Sequence, residues 1–307
     1  MQLALPAAVL AILFYPSDAL AWGPLAHLSF SAQALGQLSA VGPSIRALLQ
    51  ESGDAFLYGS LAADIVVGKN MARYLYHCHN WRVGFHVFDR AESGEEQAFA
   101  LGFLAHLAAD TVAHNYYVPF QTVASFHKSR TQHAYWELRY DQRMDRGLPA
   151  LARRVSCRKL RDHDRLLRRE LAGASVLPFD VSRQLFQSLL ASARHSRFQH
   201  VSRLALAPER NLPLEAELIQ DTGALAVRAI VGMLREGERC EAARADATGG
   251  RNIKLAQDLR RRLRERTAAG RITTADARAI AAETRASFRR AIQGKLVLPA
   301  SIERLAA

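Results

Sequence analysis

Two short stretches of the chain hold imidazole and carboxylate side chains at helical spacing. They are His106, Asp110 and His114 in the first stretch, and His133 and Glu137 in the second, each four residues from the next. Residues four apart lie on one face of a helix, one turn above each other. Neutral imidazole and carboxylate groups are good ligands for Zn²⁺, so the spacing indicates metal binding.

The length of the first stretch requires more than one metal ion. His106 and His114 would be separated by about 12 Å of helix rise, whereas a bond from an imidazole nitrogen to zinc is about 2 Å long. One ion cannot reach both residues, so Asp110 is placed to serve or bridge the first of at least two ions. Residues 98–112 are otherwise almost all Ala, Leu, Phe and Gly, which argues against a solvated polar face.

Helical patterns dominate the elements that must position these residues. Alternating β-branched runs are rare and there is no Asn-Gly or Asp-Gly turn, so we predict an all-α fold. The predicted helices cover 25–38, 44–50, 81–91, 95–114, 131–146, 215–235, 253–266 and 274–292. Ser93 and either Thr273 or Thr274 are the expected caps, and Pro119 is expected to end the long apolar helix. The glycine-containing segment 241–251 is the best candidate for a hinge.

The N-terminal residues have the features of a secretory signal. An apolar run over 1–14 is followed by an Ala-x-Ala site at 19–21, so we expect residues 1–21 to be removed and the mature chain to begin at Trp22. The alternative is an uncleaved anchor, for which the run is short. We therefore expect an exported protein, either periplasmic or secreted. The three cysteines include no C-x-x-C pair and do not make a disulfide framework.

Charge divides the chain into two parts. Residues 1–150 hold 10 Lys/Arg and 12 Asp/Glu, whereas residues 151–307 hold 31 and 17. The dense basic runs 153–169 and 251–271 each hold 8 basic and 2 acidic residues. Such runs favour either adhesion to anionic lipid headgroups or nucleic acid, or a solvated helical surface. We expect a metal-binding domain over 22–150 and a basic helical region after it, packed on that domain or extending it.

Several motifs, in their order along the chain, add to the two stretches. They are Trp22-Gly-Pro-Leu-Ala-His27, Gly59-Ser-Leu-Ala-Ala-Asp64, His77-Cys-His79-Asn-Trp81, Gly102-Phe-Leu-Ala-His106-Leu-Ala-Ala-Asp110, His114 and His133-Ala-Tyr-Trp-Glu137. Together they resemble the bacterial zinc-dependent phospholipase C proteins, which are related more distantly to the fungal single-strand-specific nucleases. The resemblance runs from Trp22 to about residue 146, and the C-terminal half does not obviously match.

The resemblance implies an all-α, multi-helix bundle that holds three zinc ions. The implied ligands are Trp22 (through its α-amino and carbonyl groups) and His27 for one ion; Asp64, His77 or His79, His106 and Asp110 for the second; and His114, His133 and Glu137 for the third. We favour His79 over His77 because Asn-Trp follows it. Asp110 would bridge the first two ions, and signal cleavage would create the Trp22 ligand. The gap from Asp110 to His114 is shorter than in the better-known enzymes.

The implied activity is hydrolysis of a phosphodiester, most directly a phospholipid, with Asp64 and Asp110 as catalytic residues. Zinc lowers the pKa of bound water, and Asp64 could also act as a base. The expected partners are the phosphodiester substrate and an anionic membrane surface, with nucleic acid as the second choice. One alternative is a zinc nuclease or phosphatase built on the same cluster. The other is a non-catalytic basic helical binding protein with structural zinc, whose sites would be closed to water.

Overall fold

The computed structural model of the chain describes residues 22–65, 79–127, 136, 139–145, 147–156, 160–171, 178–192 and 214–292. Within these ranges the regular elements are helical and no strand occurs, which confirms the predicted all-α fold. The α-helices of the described ranges are α1 (Pro24–Leu35), α2 (Pro43–Glu51), α3 (Gly53–Ala62), α4 (Trp81–Asp89), α5 (Gly94–Val112), α6 (Val118–Ala124), α7 (Leu148–Val155), α8 (Asp164–Leu171), α9 (Phe179–Ser192), α10 (Ala216–Glu236), α11 (Gly250–Ala268) and α12 (Thr274–Ile292). None of these helices is both long enough and apolar enough to cross a membrane.

Helix α5 lies at the centre of the fold. Its residues from Ala98 to Val112 are all buried, and α1, α3, α4 and α10 pack around it. Ser93 begins the helix as predicted, because its hydroxyl accepts a hydrogen bond from the amide of Glu96 at 3.2 Å. A helix surrounded on all sides must carry apolar residues on every face. Any polar side chain between Ala98 and Val112 is therefore held deep inside the protein.

Helices α3 and α5 touch each other backbone to backbone. A Cβ atom added at Gly59 would lie 1.9 Å from the carbonyl oxygen of Phe99, and one added at Gly102 would lie 2.0 Å from that of Phe56. Both distances are far inside van der Waals contact, so only glycine fits at either position. The two glycines therefore set the separation of α3 and α5, and with it the position of every side chain at their contact.

We expect Gly102→Ala to lower the free energy of unfolding by about 3 kcal/mol, because the added methyl group must push α3 away from α5. Gly232→Ala in α10 is the matched control, since a Cβ atom there has nothing within 4 Å. Alanine should stabilise that helix by up to about 1 kcal/mol. Urea unfolding followed by circular dichroism measures both changes. Equal free energies of unfolding for the two variants would contradict the close packing of α3 on α5.

The prediction that Pro119 ends the long helix is wrong. The chain passes from α5 through a π-helix at Ala113–Tyr117 directly into α6, and Pro119 lies in the first turn of α6. Proline is tolerated in a first turn, because its missing N–H group would have no intrahelical partner there. The π-helix adds a residue to its turn, so the regular spacing of α5 does not extend to His114.

The C-terminal helices pack on helices of the N-terminal half of the chain. Helix α10 packs on α5 and α1, and α11 and α12 pack on α6. Thr273 caps α12 as predicted: its hydroxyl accepts from the amide of Asp276 at 3.1 Å, and the carboxylate of Asp276 accepts from the amide of Thr273 at 2.9 Å. Of the predicted helix 131–146, most residues lie outside the described ranges. The division of the chain at residue 150 stays a prediction.

Candidate metal centre

The site is centred on Asp110, near the C-terminal end of α5. Its side chain is fully buried, and His106, one turn earlier, is 1% exposed. His106 Nε2 lies 3.2 Å from Asp110 Oδ2, a contact that four-residue spacing on one helix face makes possible. An ionised carboxylate inside an apolar core is costly unless cations or hydrogen-bond donors compensate it. The groups around Asp110 therefore decide what the site can hold.

Helix α1 places His27 against this pair. The rings of His27 and His106 stack with their centroids 3.8 Å apart and their planes 15° apart. His27 Nε2 lies 3.2 Å from Asp110 Oδ1. Ligand atoms of His27, His106 and Asp110 all lie within 4.8 Å of one another, so the three residues form a first candidate metal-binding group.

A second group forms on the other side of Asp110. Asp64 lies in the 3₁₀ turn that follows α3, and His79 comes just before α4. His79 Nε2 is 3.3 Å from Asp64 Oδ1, and His79 Nδ1 is 2.7 Å from Asp110 Oδ2. Ligand atoms of Asp64, His79 and His106 again lie within 4.8 Å of one another. Asp110 thus directs one oxygen toward His27 and the other toward His79 and His106, as a carboxylate that bridges two cations would.

The close contact of α3 and α5 orients His106. Its Nδ1 atom lies 2.9 Å from the carbonyl oxygen of Ser60 on α3. A carbonyl oxygen can only accept, so the proton of the neutral ring is on Nδ1 and the lone pair is on Nε2, which faces the carboxylates. Histidines that bind metal ions commonly have their second nitrogen held in this way.

The protonation states suit a cation. Burial, and then the nearby imidazole of His106, lowers the pKa of His27 to about 4, so its ring is neutral at neutral pH. Burial alone would raise the pKa of Asp110, but the nearby imidazoles of His106, His79 and His27 hold that pKa well below its usual range. A neutral imidazole and an ionised carboxylate are the forms that bind a metal ion.

The donor atoms fit zinc. Both oxygens of Asp110 and both nitrogens of His27 are buried, and none has a well-aligned hydrogen bond within the described residues, although Nε2 and Oδ1 are only 3.2 Å apart. Oxygen and nitrogen atoms that lie this close together without forming well-aligned hydrogen bonds are placed as the ligands of one shared cation would be. Imidazole and carboxylate together are a zinc-binding set. Asp64 is 13% exposed, against 1% for His79 and His106, so solvent reaches the group from the side of Asp64.

Trp22 is buried beside the first group. Its ring centroid lies 4.7 Å from that of Phe30, 5.3 Å from that of Tyr140 and 6.3 Å from that of His27. These aromatic contacts fix the position at which the mature chain is expected to begin, close to the candidate ligands of the first ion.

Asp141 holds the start of α1 in place. Its carboxylate accepts hydrogen bonds from the amides of Leu25 and Ala26 at 3.1 and 3.0 Å. A Cβ atom at Gly23 would lie 2.2 Å from Asp141 Oδ2, so the chain passes this carboxylate with no room for a side chain. Nothing in the sequence marks Asp141, because a helix cap supplied from 116 residues away leaves no local pattern.

His114 belongs to neither of the two groups. It is buried in the π-helix after α5, and its Nδ1 atom donates a hydrogen bond to the carbonyl oxygen of Ala247 at 2.5 Å. Its separate position agrees with the argument that His106 and His114 cannot share an ion. His133, Glu137 and His77 lie outside the described residues. The ligand set of a third zinc ion therefore stays a prediction, as does the choice between His77 and His79.

Residues 26–174 match the model of a protein family described as zinc-dependent phospholipase C. No curated protein and no solved structure shows a significant match to the chain. The matched segment begins after Trp22 and extends past residue 150, and it contains both buried metal-binding groups. This family requires zinc. The two groups of buried His and Asp side chains could hold it.

Proposed function

We propose that the chain is an exported hydrolase of phospholipid phosphodiesters, since its residues 26–174 match the zinc-dependent phospholipase C family. The observation that carries this proposal is the position of Asp110, whose Oδ1 faces His27 and whose Oδ2 faces His79 and His106. Such a carboxylate can hold two cations close together, as hydrolysis of a phosphodiester by paired metal ions requires. The match to this family supports a hydrolase and implies a phospholipid substrate.

Each residue of the centre has a proposed role as a zinc ligand. Trp22 and His27 would hold one ion with Asp110, and Asp64, His79, His106 and Asp110 would hold the second. His114, His133 and Glu137 would hold the third. When bound, zinc makes hydroxide available at neutral pH and neutralises the non-bridging phosphate oxygens.

Asp64 is the residue of the two groups best placed to handle the proton of the attacking water. It is the most exposed of their members, at 13%, so substrate and water reach the centre beside it. Its carboxylate would accept a proton as the water oxygen bonds to phosphorus. The bond from phosphorus to the glycerol oxygen then breaks, and that oxygen takes up a proton. The products are a diacylglycerol and a phosphorylated headgroup.

Contact with an anionic membrane is part of the same proposal. Helix α11 buries its apolar side and exposes a run of cations, which are Arg251, Lys254, Arg261, Arg262, Arg264 and Arg266. Each Lys or Arg near an anionic bilayer contributes about 1 kcal/mol of attraction, and salt screens the effect. Helix α11 starts next to His114, because Gly249 touches that residue. The basic surface would thus hold the protein on the lipid that it cleaves.

The deciding experiment is a hydrolysis assay on phosphatidylcholine vesicles, with the protein beginning at Trp22. We expect release of phosphocholine and diacylglycerol, loss of the activity with a zinc chelator, and its return with added zinc. Vesicles that also contain phosphatidylglycerol should be cleaved faster at low salt and no faster at high salt.

Two outcomes would overturn the proposal. Cleavage of single-stranded DNA or of a phosphate monoester in place of lipid would move the substrate to the nuclease or phosphatase alternative. Full zinc occupancy with no hydrolysis of any of these substrates would make the zinc structural. Equal rates on both kinds of vesicle at low salt would remove the proposed role of the basic surface.

A further inference from the structure

Three consecutive backbone carbonyls of the C-terminal half accept hydrogen bonds from the metal-binding half. The donors are Trp81 Nε1 to Ala245 at 3.0 Å, Asn115 Nδ2 to Asp246 at 2.8 Å, and His114 Nδ1 to Ala247 at 2.5 Å. We call residues 245–247 the carbonyl strip. It lies in the segment 241–251, in which the sequence suggests a hinge, yet it is bonded at every one of its carbonyl groups.

We propose that the carbonyl strip is a positioning element for the zinc centre, which sets the tautomer and the direction of His114. The inference rests on the proposed function in taking His114 as a zinc ligand. A carbonyl oxygen only accepts, so the bond to Ala247 requires the proton of neutral His114 to be on Nδ1. The lone pair is then on Nε2, the nitrogen that would bind zinc. The same strip contacts Trp81, two residues after His79, and so links the surroundings of both proposed ligands.

The strip is itself rigidly held. The carboxylate of Asp246 accepts hydrogen bonds from the amide of Thr248 at 2.9 Å and from the amide of Gly250 at 3.3 Å, so the turn into α11 is closed by one side chain. On the next turn, Asn252 Nδ2 donates to Asn115 Oδ1 at 3.0 Å. Asn115 follows His114 directly in the π-helix. Hydrogen bonds on both sides of the bond from His114 to Ala247 therefore hold the carbonyl strip against the π-helix.

Gly249 allows this close approach. Its φ angle is +58°, in the left-handed region that favours glycine. A Cβ atom there would lie 2.5 Å from the carbonyl carbon, the carbonyl oxygen and the Cβ atom of His114. Any larger residue would push the strip away from His114 and lengthen the bond to Ala247.

The test compares Gly249→Ala with Gly237→Ala. Gly237 also has a φ angle of +58°, but a Cβ atom there has nothing within 4 Å. The ψ angle is −133° at Gly237 and 22° at Gly249, so the control carries the greater backbone strain, and only Gly249→Ala presses on His114. We expect Gly249→Ala to weaken one zinc site by about 10- to 100-fold, as loss of a partner to a metal-binding histidine does. The other sites should keep their affinity. The number of zinc ions retained per chain, measured at increasing chelator concentrations, tests both expectations.

A second measurement does not depend on whether the variant folds. Long-range ¹H–¹⁵N spectra of the metal-free wild-type protein report which nitrogen of His114 carries the proton. We expect the Nδ1–H form, and an Nε2–H form would overturn the proposal. Equal zinc retention by Gly249→Ala and Gly237→Ala would overturn it as well. Both readouts are independent of hydrolysis, so a wild-type protein that cleaves no phosphodiester would contradict the proposed function alone.

Discussion

Replacement of Asp110 by asparagine should abolish phospholipid hydrolysis, with a loss of about three orders of magnitude or more. The substitution keeps the size of the side chain and removes its charge. Asp110 is fully buried and contacts His27, His79 and His106 with its two oxygens. A neutral amide cannot bridge two cations, because its nitrogen offers no lone pair to a metal ion. The variant should therefore also retain at least one zinc ion fewer per chain.

Glu96→Gln is the matched control for this change. It makes the same replacement of carboxylate by amide on the same helix, but in the first turn of α5, where Glu96 accepts a hydrogen bond from the exposed amide of Glu92 at 2.8 Å. Hydrolysis rate and zinc content should stay at the wild-type values in the control. Circular dichroism of the metal-free proteins separates loss of zinc from loss of the fold. Full activity in Asp110→Asn would rule out the bridging role of this residue.

The sequence predicted the site best where the interacting residues are close together along the chain. His106 and Asp110 lie four residues apart on one helix, and the structure places their side chains in contact at 3.2 Å. The apolar composition of 98–112 also predicted correctly that this helix is buried. Both inferences depend only on helical periodicity, which a sequence expresses directly. The same argument separated His114 from this pair.

The assembly of the site could not be derived from spacing. His27, Asp64 and His79 come from three other segments, and only packing brings them to Asp110. That packing depends on backbone contacts such as the one between Gly102 and Phe56, which no side-chain pattern reveals. Resemblance to a family named these residues in advance, whereas periodicity could not.

Backbone groups account for most of what the sequence did not show. The carbonyl groups of Ser60 and Ala247 each hold a histidine of the proposed zinc centre, and every residue type carries such a group. The sequence also gives no sign of the extra residue in the π-helix, and for that reason Pro119 was wrongly predicted to end the helix. Of these backbone features, only the one at Gly249 is indicated by the sequence, in which it is part of a Gly-Gly pair in the candidate hinge.

The identity of the first residue should matter as much as any side chain. If the α-amino group of Trp22 binds zinc, a single residue left in front of it converts the amine into an amide and removes the ligand. We expect such a form to bind about one zinc ion fewer per chain and to lose at least about tenfold in hydrolysis rate, since an interaction of a few kcal/mol is lost. The buried ring of Trp22 keeps its backbone in place in either form.

A cleavable leader provides the control, because the same polypeptide is measured before and after its removal. Zinc content and phospholipid hydrolysis should both rise when cleavage exposes Trp22. The contacts of the Trp22 ring with Phe30 and Tyr140, and the tight passage of Gly23 beside Asp141, leave no freedom for the new amine to move elsewhere. If the uncleaved form already holds the full zinc complement and hydrolyses lipid at the same rate, the amine is not a ligand. Removal of the leader would then have no chemical role in assembling the centre.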